Sequence, residues 1–272
     1  MNLFWAVLIV VGATAVAVTA MLLVRRRAPD GGWFTNGDRA AGVFGVLATG
    51  FSVLLGFLIF LAFESYDQSR SGAEVEALTV AQQVETAQRL PAADDLTGQL
   101  VCYARWVISD EWPRLEDGSL GEAINPWGVA QFETVNGVEP GTASEEAAYG
   151  KWLDQTSDRE TARQDRIHGA VGVIPSPLWI VVFFITVVIF VFLLFFADSG
   201  EPAASQALLM GSVVAVVVAM LLLLGFLDDP FQSSIGGVQP TAMRRTLEII
   251  DEQIAAVGLD VTFPCDVSGR PV

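Results

Sequence analysis

Four stretches of this chain contain no Asp, Glu, Lys or Arg: Leu3–Val24, Ala40–Phe63, Leu178–Phe196 and Gln206–Leu227, of 22, 24, 19 and 22 residues. A helix rises about 1.5 Å per residue, so each covers roughly 29–36 Å, against about 30 Å for the hydrocarbon core of a bilayer. Core helices of a water-soluble protein rarely stay uncharged for so long, and here four do. The chain therefore reads as an all-α, four-transmembrane-helix integral membrane protein, and the lipid bilayer is the partner those runs require. Ala15-Val-Ala17 resembles a signal-peptidase site, so a cleaved leader is the alternative for the first run. A retained helix is favoured because no Lys or Arg precedes the run, it is longer than a signal core, and Arg25-Arg-Arg27 follows it directly.

Those arginines also set the orientation. The link from Arg25 to Arg39 carries four Arg against Asp30 and Asp38, whereas the link 197–205 carries no basic residue. Basic residues in short loops stay in the cytoplasm. The layout that follows is transmembrane helix 1 at 1–24, a cytoplasmic loop at 25–39, transmembrane helix 2 at 40–64 and a helical extracytoplasmic domain at 65–175. Transmembrane helix 3 at 176–197, a cytoplasmic loop at 198–204, transmembrane helix 4 at 205–227 and an extracytoplasmic tail at 228–272 complete it. Both termini are then extracytoplasmic.

Residues 65–175 hold 19 acids against 8 bases, and the tail from Asp228 holds 7 against 3. Such a surface repels nucleic acid, so no nucleic-acid partner is expected, and it draws cations. Simple solubility of an exposed domain is the plainer account. Cys102 and Cys265 both fall on the outside, where an even pair points to a disulfide closing a loop of over 160 residues. Two unrelated buried thiols are the other possibility.

Along the chain, helix 2 continues past the membrane toward Pro91, with Leu78, Ala81, Val84 and Ala87 near one face. A further helix spans Asp94–Glu111 through Leu96, Leu100, Tyr103 and Val107, and Trp112-Pro113 ends it. Gly118–Gly141 reads as loop. Thr142-Ala-Ser-Glu145 is a capping box opening a helix toward His168, whose charged run Asp158–Arg166 reads as a solvated face. In the tail, Met243, Leu247, Ile250 and Ile254 predict one amphipathic helix over Thr241–Val257.

Little catalytic equipment is present. One His, His168, excludes a His-based metal cluster, and no Gly-x-Gly-x-x-Gly or Walker-type phosphate loop occurs. No enzyme activity, metal or cofactor is expected. Helix 2 is more informative: Gly42, Gly45, Thr49, Ser52 and Gly56 recur at spacings of three and four. They make a seam for a tightly packed neighbouring helix or a pore-facing stripe in a ring of subunits. Helix 4 has a related seam at Gly211, Ala215 and Ala219, while Trp179, Phe183, Phe184, Phe190 and Phe192 suit helix 3 to a lipid-facing position. Glu64, Asp228 and Asp229 mark the outer mouth. They line an ion path, pair with bases such as Arg70 or Arg166, or pin helix ends in water.

Three segments together carry a resemblance: Val107-Ile-Ser-Asp-Glu-Trp-Pro-Arg114, Leu61-Ala-Phe-Glu-Ser-Tyr-Asp67 and Leu227-Asp-Asp-Pro-Phe231. The chain resembles the bacterial bestrophin-like membrane family, over most of its length. That resemblance implies a bacterial plasma-membrane location and a distant similarity to bestrophins, which are pentameric ion channels whose second helix lines the pore. A homo-oligomeric channel with Gly42–Gly56 facing the pore, Glu64 near its outer end and an acidic, cation-attracting face is then expected. In bestrophins, however, the domain between helices 2 and 3 is cytoplasmic, whereas the charge count here puts it outside. A non-conducting accessory or scaffold subunit, binding another membrane-complex protein through its outer domain, is the alternative.

Overall fold

A computed structural model describes residues 3–119, 125–258 and 261–272. Its helices are, in chain order, α1 (Leu3–Arg25), α2 (Gly37–Ala87), α3 (Ala93–Trp106), a π-helical turn (Val107–Glu111), α4 (Trp112–Glu116) and α5 (Pro126–Asn136). After these come α6 (Ala143–His168), α7 (Ser176–Leu194), α8 (Ala203–Asp228) and α9 (Thr241–Val257). Among the described residues there is no strand, only an isolated bridge between Cys265 and Pro271. As the uncharged runs require, α1, α2, α7 and α8 are each long and apolar enough to cross a membrane. The chain divides into two compact units, Met1–Glu64 with Gly172–Asp228, and Ser65–Val171 with Asp229–Val272.

In the first unit α1 lies along α8. A Cβ added to Gly211 would come within 3.4 Å of both Thr14 and Val18, so the small residue lets the two helices close up. Ala219, on the same expected seam, is exposed. Phe183 and Phe184 of α7 face outward, but Phe190 packs into a core with Met21, Met210 and Val214. Phe192 stacks on Phe34 and Phe44, with ring centroids 5.8 Å apart in each case. The aromatic residues of α7 are thus shared between an outer and a packed face, which corrects the wholly lipid-facing expectation. At about 100° per residue Phe192 lies half a turn from Phe183 around α7. At one end of this unit Arg25 donates to the carbonyls of Ser199 and Glu201, and Ser199 donates to Asp30 at 2.6 Å.

In the second unit the inward face of α2 runs through Ala73, Ala77, Val80, Val84 and Ala87, while Leu78 is 57% exposed. The small residues turn in because α6 comes very close: at Gly72 a Cβ would stand 2.5 Å from the backbone nitrogen of Arg166. Packing distance overrode side-chain hydrophobicity there. Nor does Trp112-Pro113 end the helix before it. The Trp112 N–H bonds to the Val107 carbonyl five residues back, giving a wider turn. Pro113 follows at the second position of α4, with helical backbone on either side of it.

The stretch expected as loop contains α5. Asn125 accepts a hydrogen bond from the Trp127 N–H at 3.1 Å, and Pro126 occupies the first turn. Here Gly, Pro and Asn punctuate a helix instead of excluding one; residues 120–124 lie outside the described residues. At the start of α6 Thr142 accepts from the Glu145 N–H, as the capping box predicts, while Glu145 reaches back one residue before the cap and accepts from the Gly141 N–H at 2.7 Å. On α9 Met243 and Ile250 are buried and Leu247 and Ile254 pack against the same core.

Cys102 and Cys265 are joined in a disulfide and both are buried. The bond holds the segment 261–272 against α3 and the π turn. Trp127 donates to the Gly269 carbonyl at 2.6 Å, and Ser109 donates to the Ser268 carbonyl. Gly269, at φ +78°, lies against the Trp106 backbone, so a side chain there has neither the conformation nor the room.

Candidate functional site

On α2, Gly42, Gly45, Thr49, Ser52 and Gly56 fall within about 80° of one another, at about 100° per residue. All five are exposed, and a Cβ added at Gly42, Gly45 or Gly56 meets nothing within 4 Å. Helix α2 instead buries Phe51, Leu55, Leu58 and Ala62. Among the described residues no other helix fills the small-residue face. Phe60 and Phe63 continue the same arc and are 61% and 53% exposed.

The three boundary acids take separate roles. Asp228 turns back onto the entry to α7: Oδ1 accepts from the N–H groups of Val173 and Ile174 at 2.8 and 2.9 Å. Its Oδ2 accepts from the Trp179 indole at 3.2 Å. Gly172, at φ +72°, makes the bend, with Asp228 3.2 Å from where its Cβ would be. This explains an acid at the C-terminal end of α8: the unfavourable helix dipole is outweighed by three donors from another segment. Glu64 and Asp229 are exposed. Arg70 pairs with Glu74, and Arg166 with Glu76 and Glu111. Asp228→Ala should cost about 1–3 kcal/mol, the value of charge-assisted bonds left unmade. Asp228→Asn should cost less, because its amide oxygen still accepts. Thermal unfolding of the two variants, followed by far-ultraviolet circular dichroism, checks the order.

Sequence reasoning passed over the most heavily buried charges. Arg166 is fully buried in the second unit, as is Glu76 on α2, and Arg159 is 3% exposed. The Arg166 guanidinium donates to both oxygens of Glu76 and to Glu111. Arg163 pairs with Glu111 at 3.2 Å, and Tyr103 donates to Glu76 at 2.6 Å. Arg159 donates to Gln83 at 2.7 Å and lies 4.5 Å from the centre of the Tyr103 ring. Burial pushes the Glu111 carboxyl up, but Arg166 and Arg163 outweigh it and hold it below the usual carboxylate range. Burial, reinforced by Glu76, raises the Tyr103 hydroxyl well above its ordinary value, so it remains a donor.

The solvated face expected for Asp158–Arg166 is thus overturned for its arginines. A signal was present: Ala148, Trp152, Gln155, Arg159, Ala162 and Arg166 recur at four and three, and all are buried. The arginines continue an inward stripe begun by Ala148 and Trp152. Glu111 reaches them from the π turn, whose extra residue per turn re-aims that side chain.

Residues 11–243 match the bestrophin-like domain family. The chain belongs to the bestrophin-like family. Crystal structures of a bacterial bestrophin homologue from Klebsiella pneumoniae share the fold of this bestrophin-like protein. One superposes with a TM-score of 0.69 at 11% identity, covering 90% of this chain and 98% of the other. Another gives 0.65 at 13% identity, covering 94% and 99%. A membrane protein of known crystal structure gives 0.64 at 12% identity over 100% of both chains. At these identities the likeness establishes the fold alone. Among functionally curated proteins none matches this bestrophin-like chain.

Proposed function

We propose that this protein assembles as a homo-oligomer in the bacterial plasma membrane and passes ions along α2. The observation that carries this reading is the open arc Gly42, Gly45, Thr49, Ser52 and Gly56, exposed and uncovered by any other helix among the described residues. Glycines and hydroxyls on a membrane helix serve either a neighbouring helix or a water-filled path. The bestrophin analogy, in which the second helix lines the pore, favours the path. Phe60 and Phe63, on the same arc, supply an apolar constriction of the kind that gates by dewetting. The surplus of acids over bases in residues 65–175 favours cations. Arginines in the link 25–39 and the disulfide between Cys102 and Cys265 support a cytoplasmic link and an exterior helical unit.

Reconstituted in liposomes, the protein should conduct Na⁺ or K⁺ in preference to Cl⁻. Gly56→Leu should lower that flux about tenfold or more while the oligomer elutes unchanged. Well-folded protein that passes none of the three ions, or Gly56→Leu that alters assembly alone, rejects permeation and leaves a non-conducting accessory subunit. Sidedness has its own check: an impermeant thiol reagent on intact cells should label Ser119→Cys and leave Asn36→Cys unlabelled.

A further inference from the structure

Within the membrane-spanning unit, a pocket of about 330 Å³ opens between α1, α7 and α8. Its wall is formed by Met21, Leu193, Phe196, Leu209, Met210 and Val213, with Glu201, Gln206 and Ser212 as polar members. Gln206 is buried and spends its amide on Asp198 and on the Glu201 carboxylate, at 2.9 and 3.3 Å. Gln206 and Glu201 are thereby turned toward one another, Ser212 donates to the Leu209 carbonyl of its own helix at 2.9 Å, and the wall is left mainly apolar. Three arginines stand at this end. Arg25 is committed to the carbonyls of Ser199 and Glu201. Arg26 and Arg27, next along the chain, are exposed, and neither is ion-paired with a carboxylate among the described residues. The neighbouring acids are occupied elsewhere: Asp30 accepts from Ser199, and Asp198 accepts from the N–H groups of Gly31 and Gly200.

We propose that this pocket seats an acyl chain of an anionic phospholipid whose phosphate is held by Arg26 and Arg27. An apolar cavity beside the end of α1, where two exposed guanidiniums follow Arg25 in the chain, matches both ends of such a molecule. Basic side chains at the end of a membrane helix favour anionic headgroups, while the apolar wall takes the chain. The proposal does not depend on ion conduction, because the lipid site lies on α1, α7 and α8 and not on the open face of α2.

Native mass spectrometry of the detergent-purified protein, titrated with phosphatidylglycerol and with phosphatidylcholine of the same chains, tests it. Phosphatidylglycerol should bind roughly tenfold more tightly. The double variant Arg26→Gln, Arg27→Gln should erase that preference while keeping the weaker binding common to both lipids. Val213→Trp, placed at the pocket wall where Val213 is 38% exposed, should abolish binding of both. Equal affinity of the unaltered protein for the two lipids overturns the proposal. So does a preference that survives loss of both arginines, or a structure in which a helix of a second copy fills the pocket. Both arginines are exposed, so the double variant folds as a usable control even if Val213→Trp does not.

Discussion

Replacing Arg166 with methionine is expected to destabilise the helical unit by about 3–5 kcal/mol, the cost of removing one partner from a buried ion pair. The guanidinium is fully buried and holds Glu76 and Glu111 together. Methionine fills much of the space but leaves two carboxylates without their main counter-charge. Adding Glu76→Gln to Arg166→Met should recover part of the loss, whereas simple cavity effects at two sites would accumulate. Thermal unfolding of the four proteins measures the coupling; additive losses would reject the electrostatic account. The same cluster sets an acid limit. Because the Glu111 carboxyl is held below its unfolded value, its contribution is fully present above the ordinary carboxylate pKa of about 4.3. That contribution fades as pH falls through the lower folded value. Arg163→Gln, which removes one of the two groups holding Glu111 down, should move the onset of acid unfolding to higher pH.

Breaking the disulfide should have an effect of similar size. Cys102 and Cys265 are 163 residues apart, and the chain-entropy model assigns a loop of that length about 5 kcal/mol. The Cys102→Ser, Cys265→Ser variant should unfold at a markedly lower temperature, and the segment 261–272 should gain protease sensitivity. That segment loses its covalent anchor while keeping only a few bonds, such as Trp127 to the Gly269 carbonyl. Unchanged melting with and without reductant would show that helix packing alone holds the unit. Since both sulfurs are buried, reduction of the native protein should require partial unfolding.

The membrane helices were legible because lipid imposes a crude rule, length without charge, that the four runs satisfy on their own. Caps were legible for a related reason: Thr142 and Glu145 need only their near neighbours. What stayed hidden depended on partners distant in sequence. Nothing local shows that Leu78 faces outward, because that follows from the approach of α6 at Gly72. Arginine at 159 and 166 looked like solvent-facing charge because its counter-ions lie on α2 and the π turn. The role of Asp228 was half visible: the sequence places it at a helix end, but its donors come from 173, 174 and 179. The open face of α2 was read as a seam or a lining, and the other described residues leave it uncovered.

One geometric fact about α2 reaches further. Its 51 residues, from Gly37 to Ala87, contain no proline. Within the first unit such an unbroken helix behaves as a stiff shaft with one torsional phase. With about 100° per residue, Gly56 is turned roughly 130° from the buried row Phe51, Leu55, Leu58 and Ala62. Whatever clamps that row therefore also indexes the azimuth of Gly56, and a slip of the shaft by even one residue there would swing that glycine through more than a quarter turn.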